Sequence, residues 1–176
     1  HRPTLLAAKA TAANPPTEQA RQLAMTVAPT LGALFANAMF LSTLGAVLAA
    51  RDAADMGSLN PIPLVAIAGN CMAWLGYSFA TRDAFVFAAN LPGLLLGLFY
   101  SLTAARLSAS YRSVELLLLA YAAIIGVSGF SASMLGGARA QALTGAVANT
   151  FEVGVYRARL SGIEKRIATA PSVCSV

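Results

Sequence analysis

Charge is what this sequence has least of. Only 11% of its 176 residues are Asp, Glu, Lys or Arg, where an ordinary soluble domain carries about a quarter, and that shortage excludes a typical soluble surface. Histidine is nearly absent: the sole one is His1, which excludes a His-based catalytic pair or a His metal cluster. The two cysteines, Cys71 in an apolar run and Cys174 in a polar tail, have no metal-ligand spacing and are read as neither a disulfide nor a site. No phosphate-cradling glycine loop, zinc-protease helix or nucleophile elbow is present. Without a nucleophile and base to pair, and with carboxylates mainly at helix ends, an enzyme is not expected, nor is a cofactor. The net charge of +5 comes from Arg and Lys at the ends of apolar runs, not from a basic stripe with interleaved aromatics, so nucleic acid is not an expected partner.

What is there is apolar: 57% of residues are hydrophobic and the mean hydropathy is +0.67. A hydrocarbon core of about 30 Å takes about 20 apolar residues in a helix, with charges at the edges. Four stretches meet that requirement: residues 27–50, closed by Arg51, Asp52 and Asp55; 61–80, closed by Arg82 and Asp83; 84–105, closed by Arg106; and 114–135, ending in Gly136-Gly137. A fifth, 140–156, contains Gln141, Asn149 and Glu152 and spans only if those groups face protein or water. The expected fold is therefore all-α and integral to a membrane, plasma or organellar, with four or five transmembrane helices. Residues 1–24 are expected to be a flexible tail. Because the sequence starts at His1, that tail is read as the end of a trimmed product. Pro61 and Pro63 fall where a helix begins and a missing N–H is harmless. Gly93, Gly97, Gly126 and Gly129 are expected to permit close helix contacts. Arg51, Arg106, Arg112, Arg157, Arg159, Lys165 and Arg166 gather on one membrane side, which the positive-inside rule places in the cytosol.

Two spans carry asparagines that lipid disfavours. Asn70, Trp74 and Tyr77 are spaced to share one helix face, and together they offer an amide, an indole N–H and a phenol, a set suited to a neutral polyhydroxyl ligand. Asn90 lies about seven residues inside the Arg82-Asp83 turn and Asn70 about twelve, an offset of roughly 7 Å along antiparallel helices. Both can therefore border one cavity. The residues alone leave blander uses open: Asn70 and Asn90 as interhelical hydrogen-bonding groups, Trp74 and Tyr77 as belt or packing residues, Asp83 as a helix cap and Glu152 as a bundle-facing polar residue. A short echo, "GALFAN" at 32–37 and "GAVAN" at 145–149, hints at an internal repeat of the kind transporters use.

The run Pro63, Asn70-Cys71, Trp74, Tyr77, Asp83, Asn90, Gly93 and Tyr100, with "FLST" at 40–43, resembles the first triple-helix bundle of the SWEET sugar transporters. The resemblance covers about residues 32–106. It implies a triple-helix bundle over 25–106 with the third helix packed between the first and second. A linker helix would follow over 107–137, then a fifth helix over 138–160 beginning a partial second bundle, and a polar tail over 161–176. It further implies passive passage of mono- or disaccharides by alternating access without a cofactor. Asn70, Trp74 and Asn90 would then be pocket residues, Tyr77 and Asp83 parts of an outer gate, and Pro63 a hinge. The sequence departs from the pattern at Thr43, where a hinge proline is expected, at Ser78, which replaces a glycine, and at "YRARL" (156–160), where Arg159 replaces a second hinge proline. It also ends at Val176, before a sixth and seventh helix. Transport would then require a homo-oligomer or another membrane subunit in the bilayer to supply the second half. The rival expectation is a non-transporting accessory subunit derived from this family, packed into a larger organellar membrane complex such as one of a plastid.

Overall fold

The computed structural model describes residues 17–169; His1, Cys174 and the rest of the two termini lie outside them. Every regular element among the described residues is a helix: α1 (Glu18–Ser42), α2 (Leu44–Asp52), α3 (Pro61–Thr81), α4 (Ala84–Leu107), α5 (Tyr111–Leu135) and α6 (Gly137–Thr169). Four spans are long and apolar enough to cross a membrane, with α1 and α2 counted together as Glu18–Asp52 alongside α3, α4 and α5. The chain is an all-α membrane protein. The polar helix α6 is not among the four spans.

Local chemistry sets the ends. Helix α1 begins at Glu18, inside the segment read from sequence as a tail, because Thr17 accepts a hydrogen bond from the Ala20 N–H and Glu18 puts an acid in the first turn, where the helix dipole favours it. Asn60 caps α3 by accepting from the Ile62 N–H at 3.1 Å, with Pro61 and Pro63 in the first turn, where their absent N–H groups leave no carbonyl orphaned. Asp83 caps α4, its Oδ1 accepting from the Phe85 N–H at 2.9 Å and the Val86 N–H at 3.1 Å. Between α5 and α6, Gly136 and Gly137 both take positive φ, a backbone that a side chain would strain.

The first apolar run is one span in length but two helices in detail. At Thr43 the backbone stays right-handed helical yet tightens, the Thr43 N–H bonding three residues back to the Phe40 carbonyl. That carbonyl also accepts from the buried Tyr100 hydroxyl of α4 at 2.8 Å, so the irregular turn is held from across the bundle.

Helix α4 lies between α1 and α3, as the resemblance implies, and α3 in turn packs against α5 and α6. The α3–α4 contact is close because of the Gly93-xxx-Gly97 pair: a Cβ on Gly97 would sit 2.8 Å from the Ala68 backbone nitrogen and 2.9 Å from its Cα, so two backbones meet there with nothing between them. Phe40, Val47, Val65, Ile67, Cys71, Tyr100, Ala104 and Val114 form the core around this seam. Gly126 and Gly129 do not behave as expected. A Cβ on either would meet nothing within 4 Å, because α5 turns that side outward, and Val127 and Phe130 beside them are 68% and 69% exposed.

Candidate translocation site

The polar face of α3 is turned toward α6. The Trp74 Nε1–H donates to Glu152 Oε2 at 3.1 Å, and the Trp74 and Tyr77 rings meet edge to face with centroids 5.6 Å apart. The Tyr77 ring packs where α6 presents only Gly145, 3.2 Å from the position a Cβ there would take. One turn toward the α3 N-terminus, Asn70 lines a cavity of about 30 Å³ together with Met39 and Phe40 of α1, Ile67 of α3 and Glu152, Val155 and Tyr156 of α6. Asn70, Trp74 and Tyr77 are therefore all turned toward α6, Asn70 across the cavity that Glu152 also lines, Trp74 by its bond to Glu152 and Tyr77 at Gly145. That helix is the least apolar, and Glu152 is the bundle-facing group that meets the polar face of α3.

Asn70 Oδ1 is buried and, among the described residues, has no hydrogen-bonding partner. Leaving such an acceptor desolvated costs about 1–3 kcal/mol, and the cavity that Asn70 lines is large enough for about one water or one ligand hydroxyl. The cavity is far below the roughly 300 Å³ at which small-molecule pockets begin. Asn90 does not line it, and neither does Trp74. The Asn90 amide instead donates to the Val86 carbonyl of its own helix at 2.9 Å. Asp83 spends one carboxylate oxygen on its cap, and Pro63 sits in the first turn of α3.

Asn37 is the residue that spacing did not single out. Pro92 lies inside α4 and has no N–H, so the Ala88 carbonyl one turn earlier loses its helical donor. The Asn37 amide supplies one from α1 at 3.2 Å, while also donating to the Ala33 carbonyl of its own helix at 2.9 Å. Its Oδ1, like that of Asn70, is buried without a partner among the described residues. The signal lay in Pro92: an internal proline in a lipid-facing helix leaves a carbonyl that a neighbour must satisfy. Asn37→Leu should lower stability by about 1–3 kcal/mol. Adding Pro92→Ala, which restores the internal donor, should remove most of that loss in a double-mutant cycle followed by thermal unfolding. Independent, additive effects would show that the Asn37–Ala88 bond contributes nothing.

Residues 27–108, from within α1 to the residue that ends α4, match the family model described as sugar efflux transporter for intercellular exchange. The matched segment contains α2, α3 and α4 whole, with Asn37, Asn70, Trp74 and Asn90. No curated protein matches the chain.

Proposed function

We propose, from the SWEET-like segment that runs from α1 to α4, that this membrane protein supplies half of a sugar path, with Asn70, Trp74 and Asn90 as its polar lining and Glu152 as the group that covers it. The observation that carries this reading is the buried, unpartnered Asn70 Oδ1 on the same face as an indole and a phenol. An acceptor amide beside flat aromatic rings suits a sugar hydroxyl and the apolar face of a sugar ring. Passage is passive and alternates access from the two sides, and a second three-helix unit, from another copy or another chain, completes the enclosure. In the conformation described here α6 closes the lining, so opening requires the Trp74–Glu152 bond to break. At the outer end Tyr77 of α3 parts from Gly145 of α6. Asp83 takes part in gating only when it releases its cap, and Pro63 marks where α3 pivots.

Purified protein in liposomes is expected to pass labelled glucose or sucrose, and Asn90→Ala is expected to abolish the uptake while leaving the protein folded. Uptake no greater than that of empty liposomes would overturn the proposal.

A specific observation favours a second reading. Because Glu152 occupies the indole N–H and the space at Asn70 holds about one water, the face is also suited to a permanently closed bundle serving as an accessory subunit of a larger membrane complex. Mild detergent extraction separates the two: a dimer that transports supports the first, and a large stable assembly without uptake supports the second.

A further inference from the structure

At the C-terminal ends of α2 and α4, two cations converge on a groove that the proposed sugar path does not use. Arg51, in the last turn of α2, and Arg106, in the last turn of α4, line it together with Phe99, Leu102, Thr103 and Leu107, and its volume is about 450 Å³. The Arg51 guanidinium, though exposed, lies over the Phe99 ring, 4.9 Å from its centroid, so the cation has a fixed partner on the groove wall. Both arginines also complement the negative ends of their helices, which is the ordinary use of a basic residue in a last turn. That use does not require the two to face one groove. Among the described residues neither guanidinium is ion-paired with a carboxylate, and neither Asp52 nor Asp55, the acids of the adjoining loop, lines the groove.

Both helices reach the membrane edge here, since Glu18–Asp52 and Ala84–Leu107 are spans that end at these residues. Below the arginines, toward the bilayer centre, Leu102, Leu98 and Leu95 follow one another on the same face of α4, and Leu102 and Leu95 are more than 60% exposed. Paired cations at headgroup depth above an apolar track match a molecule with an anionic head and an acyl tail, and a basic pocket between helices at the membrane surface is a recognised form of such a site. The groove volume lies within the range of small-molecule pockets, about 300–1,000 Å³.

We propose that this groove binds an anionic glycerophospholipid, its phosphate between Arg51 and Arg106 and one acyl chain along Leu102, Leu98 and Leu95. The fork geometry of guanidinium suits phosphate oxygens better than an ammonium would.

The test uses the full chain in neutral detergent, with phosphatidylglycerol or phosphatidylcholine of the same acyl chains added, and reads retained lipid by native mass spectrometry and protection by thermal shift. The expected preference for phosphatidylglycerol is about 30-fold, and each single variant, Arg51→Gln or Arg106→Gln, should lower it about fivefold. The double variant should abolish it, and Arg51→Lys with Arg106→Lys should restore part of it. Unchanged helix content and phosphatidylcholine binding show that the variants fold; should the double variant not fold, the two single variants carry the test. Equal retention of the two lipids would overturn the proposal, as would a preference that survives the glutamine substitutions. Protection by soluble glycerol 3-phosphate equal to that by phosphatidylglycerol would also overturn it, since the site would then recognise a free anion and not a lipid.

Discussion

Trp74→Ala is expected to destabilise the fold by about 3 kcal/mol, at the low end of the range for truncating a large aromatic in a core because the side chain is only half-buried. Two losses add. The ring leaves its edge-to-face contact with Tyr77, and Glu152 loses the indole N–H that satisfies its Oε2. In Trp74→Phe a smaller aromatic ring remains and the donor goes, so the expected cost falls to about 1–3 kcal/mol, mainly the penalty for leaving a polar group unpaired. Thermal unfolding in detergent measures both, and limited proteolysis within α6 tells where the loss is felt: cleavage should rise in α6 before the rest of the chain opens. A Trp74→Ala protein within about 0.5 kcal/mol of the parent, with α6 no more open to protease, would show that the α3–α6 contact does not rest on this residue.

Gly97→Ala is the second large effect, and its cause lies entirely in the backbone. The added methyl would meet the nitrogen and Cα of Ala68 at 2.8 and 2.9 Å, atoms that cannot rotate away as a side-chain tip can, so α3 and α4 must separate or shift. Overpacking of this kind costs about 1–3 kcal/mol, and Gly97→Val should exceed that range. Gly126→Ala is the control on the same physics. No atom lies within 4 Å of its new methyl, so the gain in helix propensity, up to about 1 kcal/mol, is unopposed. Melting temperatures that fall for Gly97→Ala and hold or rise for Gly126→Ala are expected. An equal response at both positions would refute the close contact.

The same pair of glycines shows how far the sequence can be read. Gly93, Gly97, Gly126 and Gly129 look alike in a string of apolar residues, and composition cannot say which face a neighbour will take. Only the fold does, by placing α4 in the middle and α5 at the rim. The spans themselves were legible, because about 20 apolar residues bounded by charge leave few alternatives in lipid. The shared face of Asn70, Trp74 and Tyr77 followed from helical spacing alone. What covers that face did not, since Glu152 is 78 residues from Trp74 and sits in the segment with the weakest membrane signal. Asn90 was legible as a polar group in a span. Its bond to Val86 was not, because an asparagine satisfied by its own helix leaves no pattern that differs from one awaiting a ligand. Thr43 and Pro92 illustrate opposite outcomes. The first, noted for lacking a proline, keeps its helix nearly continuous, while the second is the internal proline whose free carbonyl ties α4 to α1.

That tie bears on the motion proposed above. Asn37 fastens α1 to α4 across the proline gap, Tyr100 fastens the same two helices at Phe40, and Gly97 sets α4 backbone to backbone on α3. The three helices are therefore tied to one another at each seam. Among the described residues, helix α6 meets that unit through two side-chain hydrogen bonds, Trp74 to Glu152 and Gln141 to the Ala80 carbonyl, and through Tyr77 packed on Gly145, so these are the contacts that the opening proposed above would have to part, and their strength would set its threshold.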